Sequence, residues 1–453
     1  MGYPIPVKEK QVREDSCRLK ILVVGAGLAG LGAAISCLLA GHGVGIFESA
    51  VELAEVGAGI QVLPNSARVL CHWGLEAALD KYATRPRKLN FLGWKGNHIT
   101  SMDFHESEAK FPGTWYKDFH RANLQKCLVN RVLELGGTIT CNSRVVDIVV
   151  SEDGTTATAV TADGRRETAD LIIGADRVFS KLTEILYGRP DPPTKTGDLA
   201  YRLLLSTKEM LKDPELAEFV KEPQVNYWLG PDAHAVNYVL RGGELFNMVL
   251  IVPDDIPEES KPTVEGNVEE MRSLFKGWVG STKWRLCIRR GKDRWTHPSG
   301  AWTMIGDAVH ATLPYLASGA GMAFEDGAVL GECLSRLPNS PGIDKKSPSF
   351  MAQKRHTLAV FEKCRRERTH MVVSRGNVQQ YLYHLHDGPE QEERDRKMQM
   401  VPTARGGTCL ERSWSCTKAV GVSPNLPIGD IQQGLFREIQ ARLRKLVLII
   451  SDR

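Results

Sequence analysis

The stretch that decides the fold is Leu22-Val-Val-Gly25-Ala-Gly27-Leu-Ala-Gly30-Leu. Apolar, mostly β-branched residues run directly into a Gly-x-Gly-x-x-Gly turn, and small helix-forming residues follow. This order predicts a strand, a tight turn and a helix. Gly25 permits the turn, Gly27 lets a pyrophosphate approach the backbone, and Gly30 lets the helix pack closely on the strand. The N-terminus of that helix then offers free N–H groups to an anion.

A second predicted strand, Val44-Gly-Ile-Phe47, ends at Glu48. This acid follows the glycine turn by about 20 residues, where a carboxylate can accept hydrogen bonds from a ribose. The turn and the acid together predict a dinucleotide-binding site. The alternative, a tight turn that binds no ligand, leaves Glu48 unexplained.

Composition narrows the class of protein further. The net charge of +4, without a long Lys/Arg block, gives no reason to expect a nucleic-acid partner. The ten cysteines lack Cys-x-x-Cys spacing, so we expect reduced thiols and no metal site. The first 20 residues lack an apolar segment, and Leu446-Val-Leu-Ile-Ile450 is too short to span a bilayer. We therefore expect a cytoplasmic protein without stable membrane insertion, either a monomer or a homodimer.

The residue pattern divides the 453-residue chain into three parts. Strand–turn–helix patterns predict a dinucleotide-binding domain over 18–190 and 291–340. Between them, 191–290 predicts an inserted, mainly antiparallel sheet that would bind the substrate. The remainder, 341–453, predicts a C-terminal helical region with one long helix over 349–385 and an irregular tail. The predicted fold class is thus α/β, with a Rossmann-like domain, an inserted sheet and C-terminal helices.

Further glycine-rich segments recur along the chain, and an arginine opens a predicted helix. The segments are Gly57-Ala-Gly59-Ile60, Gly174-Ala-Asp176, Gly306-Asp307 and Gly319-Ala320-Gly321. The first lets backbone lie against a flat ring, with a flexible loop as the alternative. Arg121 begins the helix at the end where the dipole disfavours a cation, so an anion is expected to hold it. An ordinary surface arginine is the alternative.

Taken together, these segments resemble the single-component (group A) FAD-dependent aromatic monooxygenases, the class of para-hydroxybenzoate and salicylate hydroxylases. The segment Gly-Asp-Ala-Val-His-Ala-Thr-Leu-Pro, which begins at Gly306, is most similar to that of fungal salicylate-hydroxylase-like enzymes of secondary metabolism. The resemblance covers roughly 20–400. It departs at Arg177, where the family usually has glycine, and after 402, where the closing segment differs in character.

The resemblance implies a cofactor, FAD, and residues to hold it. Glu48 would bind the adenosine ribose, Arg121 the pyrophosphate and Asp307 the ribityl chain. The resemblance also implies that Gly59 lies near the flavin and that Asp176 touches both FAD and NAD(P)H. The N–H groups of Gly319, Ala320 and Gly321 would stabilise negative charge on the reduced flavin.

The same resemblance implies a reaction. NAD(P)H, as co-substrate, would reduce the flavin, and O₂ would then form a C4a-hydroperoxide that delivers one oxygen atom to a small aromatic, phenolic substrate. Hydroxylation, with or without dearomatisation, is the expected outcome. Epoxidation of an alkene or indole is the alternative among enzymes.

Two residues of the inserted sheet are candidates for binding that substrate. A phenol reacts faster as its phenolate, so the site needs a cation or hydrogen-bond donors. Arg202 heads an apolar strand, and Tyr238 lies in the middle of a hairpin strand. Some fungal dearomatising hydroxylases resemble this arrangement, with an arginine and a tyrosine that bind the phenolate. The alternative is a surface arginine and a core tyrosine. For His310, a hydrogen-bonded structural role is favoured over a proton relay.

Other classes share parts of these patterns. Flavin halogenases have the same fold, but the Trp-x-Trp-x-Ile-Pro segment is missing here. A simple NAD-dependent dehydrogenase would not need the later glycine segments. A lipid-carrying binding protein of the GDP-dissociation-inhibitor type would use the same scaffold without bound flavin, so a yellow solution distinguishes it from an enzyme.

Overall fold

The computed structural model describes residues 5–53, 58–110, 114–257, 260, 263–265 and 281–400. The strands are β1 (Lys20–Val24), β2 (Gly43–Phe47), β3 (Gly59–Val62), β4 (Lys88–Gly93), β5 (His98–Asp103), β6 (Lys117–His120), β7 (Thr138–Thr140), β8 (Val145–Val150), β9 (Ala157–Thr161), β10 (Arg166–Ala169), β11 (Leu171–Gly174), β12 (Thr194–Ser206), β13 (Gln224–Gly230), β14 (Ala233–Leu240), β15 (Leu245–Pro253), β16 (Thr263–Glu265), β17 (Ser281–Ile288) and β18 (Trp302–Met304). The α-helices are α1 (Leu28–Leu39), α2 (Pro64–His72), α3 (Glu76–Asp80), α4 (Phe104–Lys110), α5 (Arg121–Glu134), α6 (Lys181–Tyr187), α7 (Thr207–Met210), α8 (Pro214–Ala217), α9 (Asp307–His310), α10 (Gly319–Ser335), α11 (Pro348–Tyr383) and α12 (Pro389–Met400).

A parallel sheet forms the centre of the first part of the fold. Its five strands lie in the order β18-β11-β1-β2-β7, and every neighbouring pair is parallel. The carboxyl ends of parallel strands meet at one edge, which is where ligands bind in open α/β sheets. This edge brings together the glycine turn after β1, Glu48 after β2 and Asp176 after β11. Gly306 and Asp307, which follow β18, lie at the same edge.

Small residues let helices α1 and α10 approach each other closely. A Cβ at Gly327 would lie 2.7 Å from the carbonyl carbon of Gly32, so a larger residue there would force the helices apart. Trp73 and Phe324 pack edge to face beside this contact, with ring centroids 5.9 Å apart. The close packing fixes the start of α10 relative to the glycine turn.

An eight-stranded sheet forms the second part, in the order β16-β17-β12-β15-β14-β13-β4-β5. All its pairs are antiparallel except the parallel pair of β13 and β4. The sheet is therefore mainly antiparallel, as predicted, but β4 and β5 come from 88–103. The sequence pattern predicts that range as part of the dinucleotide-binding domain. It joins the eight-stranded sheet only because β4 pairs with the distant strand β13. The predicted range 191–290 thus supplies six of the eight strands, and the division into domains stays a prediction.

The two faces of this sheet contact different neighbours. Tyr201 and Leu203 of β12 pack with helices α7 and α8 in one hydrophobic cluster. Ala200 and Leu204 point the other way and pack in the cluster that contains Tyr238 and Tyr315. Because Tyr315 follows α9, this second face is the one turned toward the parallel-sheet part.

A two-stranded ribbon of β3 and β6 lies between the two parts. Gly59 pairs with His120 and Gln61 pairs with Asp118, so each pair shares one face of the ribbon. Strand β6 packs against β14 of the eight-stranded sheet. The ribbon therefore lies between the carboxyl edge of the parallel sheet and the eight-stranded sheet.

The predicted long helix over 349–385 is present as α11, which begins after the N-cap Ser347. The helical pattern from Asn65 to Leu79 forms two helices instead of one. Gly74, with φ +76°, separates α2 from α3. Among the described residues, no helix is long and apolar enough to cross a membrane. The predicted irregular tail lies outside the described residues, which end at 400.

Candidate active site

The glycine turn after β1 has three glycines with three different requirements. Gly25 has φ +108°, and a Cβ there would lie 2.5 Å from the carbonyl oxygen of Ala175. A Cβ at Gly30 would lie 1.9 Å from the Gly25 carbonyl oxygen. Gly27, the N-cap of α1, has nothing within 4 Å of its Cβ position. Gly25 and Gly30 are thus fixed by the fold, whereas Gly27 borders open space in which a phosphate fits.

Glu48 lies beside this turn at the end of β2, and its carboxylate is buried. Its Oε2 accepts from the N–H of Ala26 at 2.8 Å, and its Oε1 accepts from Ala50 at 2.9 Å and from the Ser49 hydroxyl at 3.0 Å. Burial opposes ionisation, but these donors and the nearby Arg177 outweigh it and hold the pKa of Glu48 below its ordinary value. The turn therefore carries a fixed carboxylate.

Three charged side chains converge near the same edge. Arg121 is the first residue of α5, and its N–H donates to the carbonyl of Ala58 at 3.1 Å. Burial lowers the pKa of Arg121, the charge of Asp307 raises it and the charge of Arg177 lowers it again. Two guanidinium groups thus lie near one carboxylate. An anionic group such as a pyrophosphate would compensate this local excess of positive charge.

The segment after β18 supplies a carboxylate and a helix N-terminus. Gly306 has φ +63°, and the next residue, Asp307, is exposed at the start of α9. Helix α10 begins at Gly319 after Ser318, whose hydroxyl donates to Leu316 at 2.8 Å rather than capping the helix. The N–H groups of the first turn, which includes Gly319, Ala320 and Gly321, therefore have no side-chain cap. They are available to an acceptor on a bound group.

Asp176 lies at the same edge, but its carboxylate is used within the protein. Its Oδ1 accepts from the Ser180 hydroxyl at 2.6 Å, and its Oδ2 accepts from the N–H of Leu182 at 3.1 Å. Both partners belong to the start of α6. Burial raises the pKa of Asp176. This geometry shows a local structural role, so contact of Asp176 with FAD or NAD(P)H stays a prediction.

Arg177 adopts a backbone conformation that explains the glycine expected there. Its φ is +73°, in the left-handed region that disfavours residues with a Cβ. The side chain is exposed, and its charge acts on both Glu48 and Arg121. This chain therefore combines a strained backbone position with an additional cation at the cofactor edge.

Gly59 joins the cofactor edge to the eight-stranded sheet. A Cβ at Gly59 would lie 2.5 Å from the Tyr238 hydroxyl oxygen, so only glycine lets the ring pack there. The N–H of Gly59 donates to Oδ1 of Asn247 at 2.9 Å. The preceding Gly57 lies outside the described residues.

Arg202 and Tyr238 lie on the same face of the eight-stranded sheet, on strands β12 and β14, with β15 between them. Arg202 pairs with Val249 of β15, and Tyr238 pairs with Asn247 of β15, two residues away. Burial lowers the pKa of Arg202, the charge of Tyr238 raises it, and the charge of Arg121 lowers it. Arg202 therefore lies close enough to Tyr238 and to the arginine that begins α5 for their charges to interact.

The Arg202 guanidinium has few partners within the protein. It lies 5.5 Å from the Trp284 ring centroid, and its buried Nε has no hydrogen-bond partner in the part of the chain that the structure describes. Within the described part of the chain, no carboxylate lies within ion-pair distance of Arg202. A half-buried cation of this kind favours an anion beside it.

Sequence reasoning missed three buried polar residues at this place: Gln61, Asp118 and Asn247. The Nδ2 of Asn247 and the Nε2 of Gln61 are buried donors that have no hydrogen-bond partner among the described residues. A polar residue between apolar neighbours, as Asn247 is in β15, was a usable signal. Asp118 gave none, because Lys117-Asp118 has the composition of an exposed turn.

His310 has the structural role that the sequence analysis favoured. It is buried, and its Nε2 lies 2.5 Å from Oδ2 of Asp326. That carboxylate also accepts from the N–H of Gly306 at 2.9 Å and from Arg365 at 2.8 Å. The cluster thereby fixes the turn that presents Asp307.

These features fit a dinucleotide with a flat ring system. The open space at Gly27, the convergent arginines and the uncapped start of α10 match a pyrophosphate and the electron-accepting end of a flavin. Within the described ranges, no group of three or more His, Cys, Asp or Glu could hold a metal ion. The fold and the site together define a flavoprotein of the para-hydroxybenzoate hydroxylase type.

Comparison with known proteins agrees. Residues 18–340 match the family model described as FAD binding domain, and the chain belongs to this family. It is 38% identical over 401 residues to the FAD-dependent monooxygenase OpS4 of Beauveria bassiana, covering 84% of this chain and 89% of OpS4. It is 33% identical over 402 residues to the 3-amino-4-hydroxybenzoate 2-monooxygenase PtmB3 of Streptomyces platensis, covering 85% and 93%.

A solved salicylate hydroxylase–substrate complex has the same fold. Its TM-score is 0.68 at 23% identity, covering 91% of this chain and all of that one. The protein is thus an FAD-dependent monooxygenase of the aromatic hydroxylase family.

Proposed function

We propose that this enzyme hydroxylates a small phenolic substrate, which it holds as the phenolate between Arg202 and Tyr238. The observation that supports the proposal is that both residues lie on one sheet face, where Tyr238 packs against Gly59 and the charge of Arg202 interacts with that of Arg121. Arg202 would be the counter-ion of the phenolate, and Tyr238 would donate a hydrogen bond to its oxygen. The related 3-amino-4-hydroxybenzoate 2-monooxygenase, named for a phenolic substrate, supports this substrate class.

FAD, when bound, supplies the redox chemistry: NAD(P)H reduces it, and with O₂ it delivers one oxygen atom to the substrate. The residues of the chain bind and orient. Glu48 would hold the adenosine ribose, Arg121 the pyrophosphate and Asp307 the ribityl chain. The N–H groups at the start of α10 would lie against the ring system.

The buried sheet face would exclude water from the reacting atoms. Val249 lies beside Arg202 on the neighbouring strand β15, Val236 lies beside Val249 on β14, and both pack against the cluster around Tyr238. Such an apolar surface strengthens the interaction between Arg202 and a phenolate, because few water molecules compete with it. Location in the cytoplasm, and a monomeric or homodimeric state, remain predictions from the sequence.

The test is to load the purified protein with FAD and add NAD(P)H with 3-hydroxybenzoate, 3-amino-4-hydroxybenzoate or salicylate in turn. Phenols that bind should accelerate NAD(P)H oxidation and yield a product heavier by one oxygen atom. Benzoate, which has no phenol, is the matched control and should give no hydroxylated product. A yellow protein whose NAD(P)H oxidation responds to no phenol would contradict the proposal.

A further inference from the structure

Arg177 occupies a left-handed backbone position that its neighbours hold in place. Its φ is +73°, in the region that favours glycine. On one side, the Asp176 carboxylate accepts a hydrogen bond from the Ser180 hydroxyl at 2.6 Å. On the other side, the Val178 carbonyl accepts one from Nε of Arg289 at 2.8 Å. The hydrogen bonds around Arg177 therefore impose a conformation that is unfavourable for a residue with a Cβ.

The segment that carries Arg177 packs against the glycine turn after β1. The N–H of Ala175 donates to the carbonyl of Val24 at 2.8 Å, and a Cβ at Gly25 would lie 2.5 Å from the carbonyl oxygen of Ala175. Arg177 comes two residues later, and two residues span at most about 7 Å. Its side chain therefore starts beside the turn in which Gly27 borders open space.

The Arg177 side chain is exposed and has no partner of its own. Within the described part of the chain, it makes neither a hydrogen bond nor an ion pair. Its charge nevertheless helps to hold the pKa of Glu48 below its ordinary value, and it also lowers the pKa of Arg121. The cation thus lies close to the two residues proposed to hold the adenosine ribose and the pyrophosphate of FAD.

We propose that Arg177 is a second arginine ligand of the FAD pyrophosphate, which it approaches from the turn after β11 while Arg121 approaches from α5. A guanidinium presents paired N–H donors that match two phosphate oxygens. The glycine that is usual at this position in the family has no side chain to offer. This inference concerns FAD alone and does not depend on the proposed phenol site.

Arginine in place of glycine then has two consequences of opposite sign. It places a Cβ in the left-handed region, which disfavours the folded chain whether or not FAD is bound. It also adds a cationic donor that acts only when the phosphates are present. Removal of the side chain should therefore leave the apoprotein at least as stable and bind FAD less tightly.

The experiment compares wild type with Arg177→Gly. The variant apoprotein should unfold at the wild-type temperature or above it, because glycine adopts a positive φ without strain. Its dissociation constant for FAD should rise by about 10-fold, a modest loss for a charged contact because this one is exposed to solvent. Thermal unfolding of the apoproteins measures the first quantity, and fluorescence titration with FAD measures the second.

Two further variants separate the guanidinium from the backbone. Arg177→Asn also tolerates the left-handed region and lacks the charge, so it should show the same loss of FAD affinity. Arg177→Lys keeps the charge without the paired donors and should bind FAD with intermediate affinity. Added salt should narrow the difference between wild type and Arg177→Gly, because it screens an exposed contact between charges.

Lys181→Gln is the matched control for net charge. Lys181 is exposed at the start of α6, and its Nζ pairs with Glu184 at 2.7 Å. This variant removes one positive charge from the same surface and should bind FAD as wild type does. An equal loss of FAD affinity in Lys181→Gln would overturn the inference, because general surface charge would then account for the effect.

Three other results would also overturn the inference. One is an unchanged dissociation constant for FAD in Arg177→Gly and Arg177→Asn. Another is a loss confined to the affinity of the FAD-loaded variants for NADPH or NADH, which would assign Arg177 to the co-substrate. The third is a lower unfolding temperature of both variant apoproteins, which would show that Arg177 stabilises the turn itself.

Discussion

In the glycine turn between β1 and α1, the backbone sets the binding geometry, whereas on the facing sheet the side chains set it. Gly25 and Gly30 are required by close backbone contacts, and the open space at Gly27 follows from them. On the sheet, Arg202 of β12 and Tyr238 of β14 share one face only because both strands pair with β15. The glycine turn depends on neighbouring residues, whereas the sheet face depends on pairing between strands. Substitutions in the two regions should therefore affect FAD binding and substrate hydroxylation separately.

The largest effect is expected within the glycine turn itself. Gly30→Ala places a Cβ 1.9 Å from a backbone oxygen and should destabilise the fold by about 3 kcal/mol or more. Gly27→Ala is the matched control, because its Cβ meets nothing within 4 Å and its φ of −74° suits alanine. It should fold normally and lose FAD affinity only. Thermal unfolding measures the stability of both variants, and titration with FAD measures their affinity. Equal stability of the two variants would contradict the different requirements of Gly30 and Gly27.

A smaller effect, confined to catalysis, is expected on the sheet. Arg202→Ala should reduce hydroxylation by about 10²-fold, as for the loss of an oxyanion contact of roughly 3 kcal/mol. Flavin content and spectrum should stay normal, and NAD(P)H oxidation should yield peroxide in place of product. Lys283→Ala is a matched control, since this cation pairs with Asp255 at 3.1 Å and lies beside Tyr201 on the opposite face. Loss of flavin from Arg202→Ala would show that the two regions are not separable.

Among the side chains proposed to hold FAD, Asp307 is tested by the variant Asp307→Ala. Loss of a charged acceptor for the ribityl chain should weaken FAD binding by roughly 10- to 100-fold, equivalent to about 1.5–3 kcal/mol. Fluorescence titration of the apoprotein with FAD measures the dissociation constant. An unchanged constant would mean that Asp307 does not contact the cofactor.

A pH-dependent effect is expected at the junction between the regions. Asp198 of β12 accepts from Tyr315 and, at 2.7 Å, from Gln380, and burial raises its pKa to about 6. The folded state thus binds this proton more tightly than the unfolded state, so stability falls as pH rises from about 4 to 6.

Over that interval, wild type should lose about 2–3 kcal/mol more than Asp198→Asn. Denaturant unfolding of both proteins at pH 4 and pH 7 measures the difference. Parallel pH dependence of the two proteins would contradict this assignment.

The contrast between the regions also explains which features the sequence predicted. The glycine turn, Glu48 and the hairpin of β14 and β15 are local patterns, and each is present as predicted. The addition of 88–103 to the sheet depends on the pairing of β4 with β13, for which neighbouring residues carry no signal. Asp118 was missed for the same reason, because its burial results from contacts between distant strands. The assignment of Arg202 and Tyr238 to a substrate site came from the chemical need for an anion site, and it stays a prediction.

The most direct test of the central claim is to run the reaction under ¹⁸O₂ with FAD-loaded protein, NAD(P)H and a phenol that binds. The account predicts a product that contains one ¹⁸O atom in wild type, and about 10²-fold less of the same labelled product from a yellow Arg202→Ala protein. An unlabelled product from wild type, or a wild-type yield of labelled product from the variant, would contradict it.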